Sequence, residues 1–318
     1  MYDDDPREPL GAIDDERLRL IFTCCHPALA METRVVLTLR MAGGLAVPEI
    51  ARALLVQETA VGRRITRAKA KIKAARIPYR VPSAEDLPGR ACGVLAVFFL
   101  VFNEGYLATG PDTDPVRHDL TAEAIRLTRL IRALMPEDGE AAGLLALMLL
   151  TEARRTARVS AGGELVTLAG RGTWDAALIA EGHRLVRERL AAREAPGRYQ
   201  ILAAISAVHT SARDVRDTDW SQVVALYDQL ARIDPSPIIA LNRAVAVAEI
   251  DGPDVALAAV DRLEDNLAGY HAYHATRADL LRRLGRSQKS RAAYGKAIEL
   301  AGNTAEIAYL TRRRDQLA

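Results

Sequence analysis

Between Glu58 and Arg80 the chain carries Arg63, Arg64, Arg67, Lys69, Lys71, Lys73, Arg76 and Arg80 against a single acid, Glu58. Eight cations and one anion make a local excess of seven, in a chain of 318 residues whose formal net charge is only +2. Side chains of one sign on a helix repel by a few tenths of a kcal/mol per close pair, so the run gains no helix-supporting ion pairs. A polyanion offsets that cost. Lys and Arg neutralise phosphates, and Arg grips guanine O6 and N7 with about 1–3 kcal/mol of discrimination per bidentate pair. A solvated helix face is the plain alternative, and the single sign of the charge argues against it.

The surrounding elements must hold this run outward. Gly43 and Gly44 end one helix, and Val47, Ile50, Ala51 and Leu54 recur at helical spacing with Pro48 in the first turn, where no amide donor is needed. After a turn at 56–58, Thr59 is the expected N-cap of a helix that buries Val61, Ile65, Ala68 and Ile72. Two short helices joined by a tight turn, the second one basic, form a helix-turn-helix whose second helix suits the major groove.

Other reactive residues lack the partners that chemistry needs. Cys24-Cys25-His26 misses the C-x₂₋₄-C spacing of a structural zinc site, and Cys92 is far along the chain. Cys24 and Cys25 are expected as small hydrophobes. His271 and His274 belong to no HExxH pattern, and Asn103-Glu104-Gly105-Tyr106 is expected to end a helix at Gly105. Without a phosphate loop, nucleophile elbow or paired carboxylates, the expectation is a protein that is not an enzyme and holds no cofactor or metal.

Low aromatic content (5%) and long Ala/Leu/Arg/Glu segments predict an all-α protein, and 318 residues suffice for two domains. No apolar run reaches the roughly 18 residues of a membrane span, and an acidic start with three cysteines suits the cytoplasm. The expected organisation is an acidic disordered lead-in over 1–13, a helix-turn-helix domain over 14–82 and a helical extension over 83–318. Within 14–82, helices are predicted up to Pro27 and over 28–42, with a linker over 79–88. Beyond it, helices are predicted near 89–102, 120–134, 139–157, 174–191 and 199–212. The Leu165-Val166-Thr167-Leu168 string is too short for a sheet. Tyr227, Val260 and Tyr294 then recur at 33- and 34-residue intervals, each in a helix after a polar break. A period near 34 with two helices per unit implies stacked hairpins, clearest over 199–303, with Leu284, Gly285, Ala292, Tyr294 and Ala297 close to tetratricopeptide spacing.

The segments DDERLRLIFTCCHPALA (14–30), GLAVPEIARALLV with RITRAKAKI, IPYRVP (77–82), FNEGYLATG (102–110), EAIRLTRLI (123–131), GLLALMLLTEARR (143–155), WDAALIAEG (174–182) and SPIIALNRAVAVAEIDGP (236–253) extend one resemblance along almost the whole chain. The chain resembles bacterial extracytoplasmic-function sigma factors of the sigma-70 family, in which region 4 is followed by a long helical, tetratricopeptide-like extension. The resemblance implies that the second helix reads the promoter −35 element, with Glu58, Thr59, Arg63, Arg64 and Arg67 near the groove and Lys69, Lys71 and Lys73 toward phosphates or partners. At 3.6 residues per turn they cannot all face one groove. Arg40 and Arg52 are further backbone contacts on this reading. It also implies docking on the β-flap of the RNA polymerase core. Region 2, which opens the −10 element, precedes this material in the family, whereas this sequence has only about a dozen residues there, as a fragment or a truncated paralogue would, and is not expected to melt promoters alone.

Two readings follow. The first is a transcription-initiation factor that binds promoter DNA and RNA polymerase, with residues 89–318 regulating it or receiving a regulatory protein; Asp251-Gly252-Pro253 is a contact on this reading and a tight turn on the plainer one. The second is a tetratricopeptide-type interaction scaffold whose helix-turn-helix does not bind DNA. The one-signed charge favours the first. A one-component regulator would need a ligand pocket in the repeats and a dimer interface.

Overall fold

The computed structural model describes residues 16–53, 56–83, 85–107, 116–158, 165–166 and 172–317. Its regular elements there are helices, in two compact units: Met1–Asn103 with Ala122–Glu137, and Glu104–Thr121 with Asp138–Ala318. The acidic lead-in at 1–13 lies outside the described residues.

The first unit holds α1 (Glu16–Cys24), α2 (Met31–Met41), α3 (Val47–Ala53), α4 (Glu58–Ala74), most of α5 (Leu87–Tyr106) and the body of α6 (His118–Leu134). Helix α2 is its axis: Val35 to Leu39 are all buried, and α1, α3 and α4 pack around it. Helix α2 starts at Met31, not at residue 28, because 26–29 form a turn in which Leu29 N–H donates to the His26 carbonyl (2.9 Å) and Ala28 N–H to His26 Nδ1 (3.1 Å). Cys24 and Cys25 are buried, with Cys25 Sγ 3.5 Å from Thr38 Oγ1. The segment after α4 is fastened to α1: Thr23 Oγ1 donates to the Pro78 carbonyl (3.2 Å) and the Tyr79 hydroxyl to that of Glu16 (3.1 Å). Pro88, expected in a linker, sits in the first turn of α5, where its missing N–H costs nothing.

In the second unit, α7 (Gly139–Glu152) is the centre, buried from Ala141 through Leu150 between α8 (Ala176–Ala191) and α9 (Arg198–Ser211). A 3-10 turn, Arg155–Ala157, follows α7. Asp175 caps α8, its Oδ1 accepting the Ala177 and Leu178 N–H groups. Of the 165–168 string, Val166 N–H donates to the Arg158 carbonyl (2.7 Å), while 167 and 168 lie outside the described residues. Gly105 corrects an expectation. It does not end α5 but lies inside it, and a Cβ there would stand 2.7 Å from Thr121 N and 2.8 Å from Arg117 O. The glycine is a close approach of two backbones, not a stop.

The remaining helices are α10 (Trp220–Ile233), α11 (Pro237–Ile250), α12 (Pro253–Asp261), the single turn α13 (Glu264–Leu267), α14 (His271–Arg283), α15 (Ser287–Leu300) and α16 (Thr304–Asp315). They pack in sequence, α10 on α11, α11 on α12, α12 on α14, α14 on α15 and α15 on α16. Helices α10, α12 and α15 begin at Trp220, Pro253 and Ser287, intervals of 33 and 34 residues; α11, α14 and α16 begin at Pro237, His271 and Thr304, intervals of 34 and 33. Tyr227, Val260 and Tyr294 therefore occupy one register in successive hairpins. Turns at Gly252 (φ +95) and Gly285 (φ +70) need the left-handed backbone that glycine adopts freely. Asp251-Gly252-Pro253 is thus a tight turn with Pro253 opening α12.

Candidate nucleic-acid interface

The hinge of the helix-turn-helix is built locally. Gly44 adopts φ +69, and the Arg40 guanidinium donates to the Leu45 carbonyl (2.9 Å), holding the turn that ends α2. Arg40, expected to touch the DNA backbone, thus braces that turn. The Glu49 carboxylate accepts the Ala46 N–H at the start of α3, half of a capping box. Nothing is described of the Arg52 side chain, and Leu54 lies outside the described residues.

Helix α4 starts earlier than expected. Gln57, extended and without a side-chain cap, is the N-cap, its carbonyl accepting the Ala60 and Val61 N–H groups at 2.9 and 3.2 Å. Glu58 is therefore in the first turn, where an acid suits the helix dipole. Thr59, expected as the cap, lies inside that turn with its side chain free for the outward face, its carbonyl accepting Arg63 Nε at 3.3 Å. The helix ends in a Schellman motif: Ile77 N–H donates to the Ile72 carbonyl (3.1 Å), Arg76 N–H to that of Lys73 (3.3 Å), and Arg76 takes φ 48. Ile77 is buried, which anchors the end of the basic helix.

The buried side of α4 is Val61, Ile65 and Ala68, with Ile72 half-buried. Rows three and four residues apart share a face. The row opposite this one is Thr59, Arg63, Thr66 and Ala70, all exposed, with Arg67 beside it. Lys69 and Lys71 are exposed on opposite flanks, and Arg64 is half-buried. The expected set thus splits: Thr59, Arg63 and Arg67 share the outward face, Glu58 is exposed at its N-terminal end, and Arg64, Lys69 and Lys71 lie to the sides. Thr66 and Ala70, central to the face, were not anticipated. The signal was their register with Thr59 and Arg63. Their small side chains let a partner approach the helix closely, and Gly62 beside them has nothing within 4 Å of where a Cβ would be. Among the described residues, no carboxylate pairs with Arg63, Arg64, Arg67, Lys69, Lys71 or Lys73.

No His/Cys/Asp/Glu triple suited to a metal ion occurs among the described residues. Burial pushes the Cys24 thiol up to about 12 and the Cys25 thiol to about 11. His274 Nε2 lies 2.8 Å from the Ala268 carbonyl, and His271 Nε2 lies 3.8 Å from Glu306. No helix of the described residues is long and apolar enough to cross a membrane.

Residues 19–72, which span most of α1 and all of α2 to α3 with most of α4, match sigma-70, region 4. Residues 90–190 match a family of unknown function, DUF6596. An uncharacterized protein of Rhizobium meliloti (strain 1021) is 45% identical over 307 residues, which cover 96% of this chain and 72% of that relative. The helix-turn-helix geometry, the region 4 match upon it and a similarity that runs on through the helical array lead to one conclusion: this chain belongs to the sigma-70 family, as a region 4 domain joined to a long helical extension.

Proposed function

We propose that the first four helices recognise a −35-type promoter element and dock on the β-flap of the RNA polymerase core, and that the helical extension regulates this activity as a tetratricopeptide-like array. The observation that carries the reading is the outward face of α4: Thr59, Arg63, Thr66 and Ala70 in one row, flanked by cations that no described carboxylate neutralises. A helix of this kind inserts with Arg63 and Arg67 on base edges and with Lys69 and Lys71 on the phosphates that border the groove. Region 4 is a transcription-factor module, which makes promoter DNA its partner, the cytoplasm its compartment and catalysis no part of the proposal.

The test is selection from random duplex DNA at two salt concentrations, for the full chain and an Arg63→Ala/Arg67→Ala variant. Enrichment of a short motif, lost in the variant, is the expected result, with affinity falling steeply as salt rises. A folded protein without salt-dependent affinity would sink the proposal and favour the interaction-scaffold reading. Deletion of 138–318, which spares the helices of the first unit, should change affinity for the selected motif; no change would remove the regulatory role.

A further inference from the structure

The second unit carries a half-open pocket of about 260 Å³ whose walls come from five separate stretches of chain. Tyr106 closes the end of α5, Arg154 and Arg158 flank the 3-10 turn after α7, residues 165–166 form a third wall, and α14 and α16 supply the rest. The volume is near the lower end for small-molecule pockets.

Its polar groups are few and deep. Arg154 is 8% exposed and Arg158 6%. Arg154 donates from Nη1 to the Tyr106 hydroxyl and from Nη2 to the Val166 carbonyl, both at 3.2 Å, while its Nε meets no hydrogen-bond partner among the described residues. Arg158 lies over the Tyr106 ring, 3.0 Å from its centroid, and donates to the Tyr106 carbonyl. These acceptors are neutral. Among the described residues the carboxylate that acts on Arg158 is Glu306, across the pocket on α16. That carboxyl is held above its ordinary range by burial, with Arg158 pulling the other way. Its other neighbour is the His271 ring, stacked on Tyr270 with centroids 5.2 Å apart. Burial biases His271 toward its neutral form, and nearby His274 adds to this.

Two buried guanidiniums thus line the pocket, and the one poorly solvated carboxylate among the described residues there, Glu306, acts on Arg158 alone of the two. Burying an arginine costs several kcal/mol unless an anion compensates it, and a guanidinium is shaped to hold carboxylate or phosphate oxygens. Leu107, Leu165, Leu310 and the Tyr309 ring make the rest of the lining apolar. We infer that this pocket binds a small organic oxyanion, a carboxylate or phosphate on a compact apolar or aromatic body, with Arg154 and Arg158 gripping the anion beside Glu306. Such a ligand bridges the turn after α7 to α14 and α16, which stand far apart in sequence. The inference concerns the extension alone and does not depend on the DNA reading.

The full chain is titrated calorimetrically with benzoate, phenyl phosphate and inorganic phosphate, with chloride at matched ionic strength as reference. At least one aromatic oxyanion should bind once per chain and raise the unfolding midpoint, and the arm that does so identifies carboxylate or phosphate. Arg158→Met should weaken binding by at least about tenfold, the loss of one charge-assisted contact. Glu306→Gln should tighten it severalfold, because the internal competitor for the Arg158 guanidinium is gone. Should Arg158→Met fail to fold, the Glu306→Gln result decides. No binding by any of the three oxyanions, or affinity that Glu306→Gln leaves unchanged, overturns the proposal.

Discussion

Glu140 of α7 accepts the Tyr199 N–H of α9 on both carboxylate oxygens, at 3.0 and 3.1 Å, and the Gln200 N–H at 3.2 Å. One helix thereby caps another, with α8 between them in the chain. The N-cap of α9 is Gly197, which offers no side chain, and a Cβ there would stand 2.4 Å from the Glu140 carboxyl carbon. The outside cap excludes an inside one.

Replacing Glu140 by Ala should cost about 1–2 kcal/mol, the usual range for a lost cap. Burial holds this carboxyl above the ordinary 4.5, with the Tyr199 and Gln200 N–H groups pulling it down less strongly. The native state then binds the proton more tightly than the unfolded chain, so stability falls as pH rises from 4.5 through the raised native value. Glu140→Gln keeps an acceptor and loses that charge. Urea melts at a series of pH values should show the glutamine variant at least as stable as the parent at neutral pH, with a flatter profile over this window.

Gly143 sits in the middle of α7, where helix propensity predicts that Ala would stabilise by about 1 kcal/mol. Packing predicts the reverse. A Cβ at 143 would lie 2.5 Å from Gln200 N and 2.8 Å from Gln200 Cα, and backbone cannot yield as a side-chain tip can. Gly143→Ala should destabilise by about 1–3 kcal/mol net, read as a lowered midpoint in chemical denaturation.

On α4, Ala70→Glu places a carboxylate at the centre of the outward row without touching the buried Val61, Ile65 and Ala68. Unfolding should be unchanged within about 0.5 kcal/mol, while DNA affinity is lost. Lys69→Ala should instead weaken binding to all sequences alike and reduce the salt slope by about one. Equal behaviour of the two variants in a filter-binding series would mean that α4 does not enter a groove.

The three thiols should react unequally. Cys92 is exposed, whereas Cys24 and Cys25 are buried. A maleimide at neutral pH should label one thiol in the folded chain and all three after denaturation, counted by mass spectrometry. The buried pair also sets an alkaline limit. Unfolded thiols ionise near 9.0 and the native ones only at about 11 and 12, so the unfolded chain releases protons first and stability falls as pH rises above 9. Cys24→Ala/Cys25→Ala should lessen that alkaline slope.

Properties that are local along the chain could be read from the residues alone. Charge is additive and helical period is short-range, so the cationic run, the Val61/Ile65/Ala68 stripe beneath it and the all-helical class were legible from spacing alone. The 33–34-residue interval linking Tyr227, Val260 and Tyr294 was legible for the same reason, since each hairpin repeats its own register. Other features rest on contacts between residues far apart in sequence, which become visible once the chain is folded. Gly105 is in α5 because the backbone at Arg117 and Thr121 passes against it, not because a helix stops there. A local feature was missed as well: Gln57, not Thr59, caps α4, its carbonyl accepting the Ala60 and Val61 N–H groups, which turns Thr59 toward the face that Thr66 and Ala70 complete. The meeting of Tyr106, Arg154, Arg158, His271 and Glu306 depends on how successive hairpins stack, and spacing along a chain carries no record of that angle.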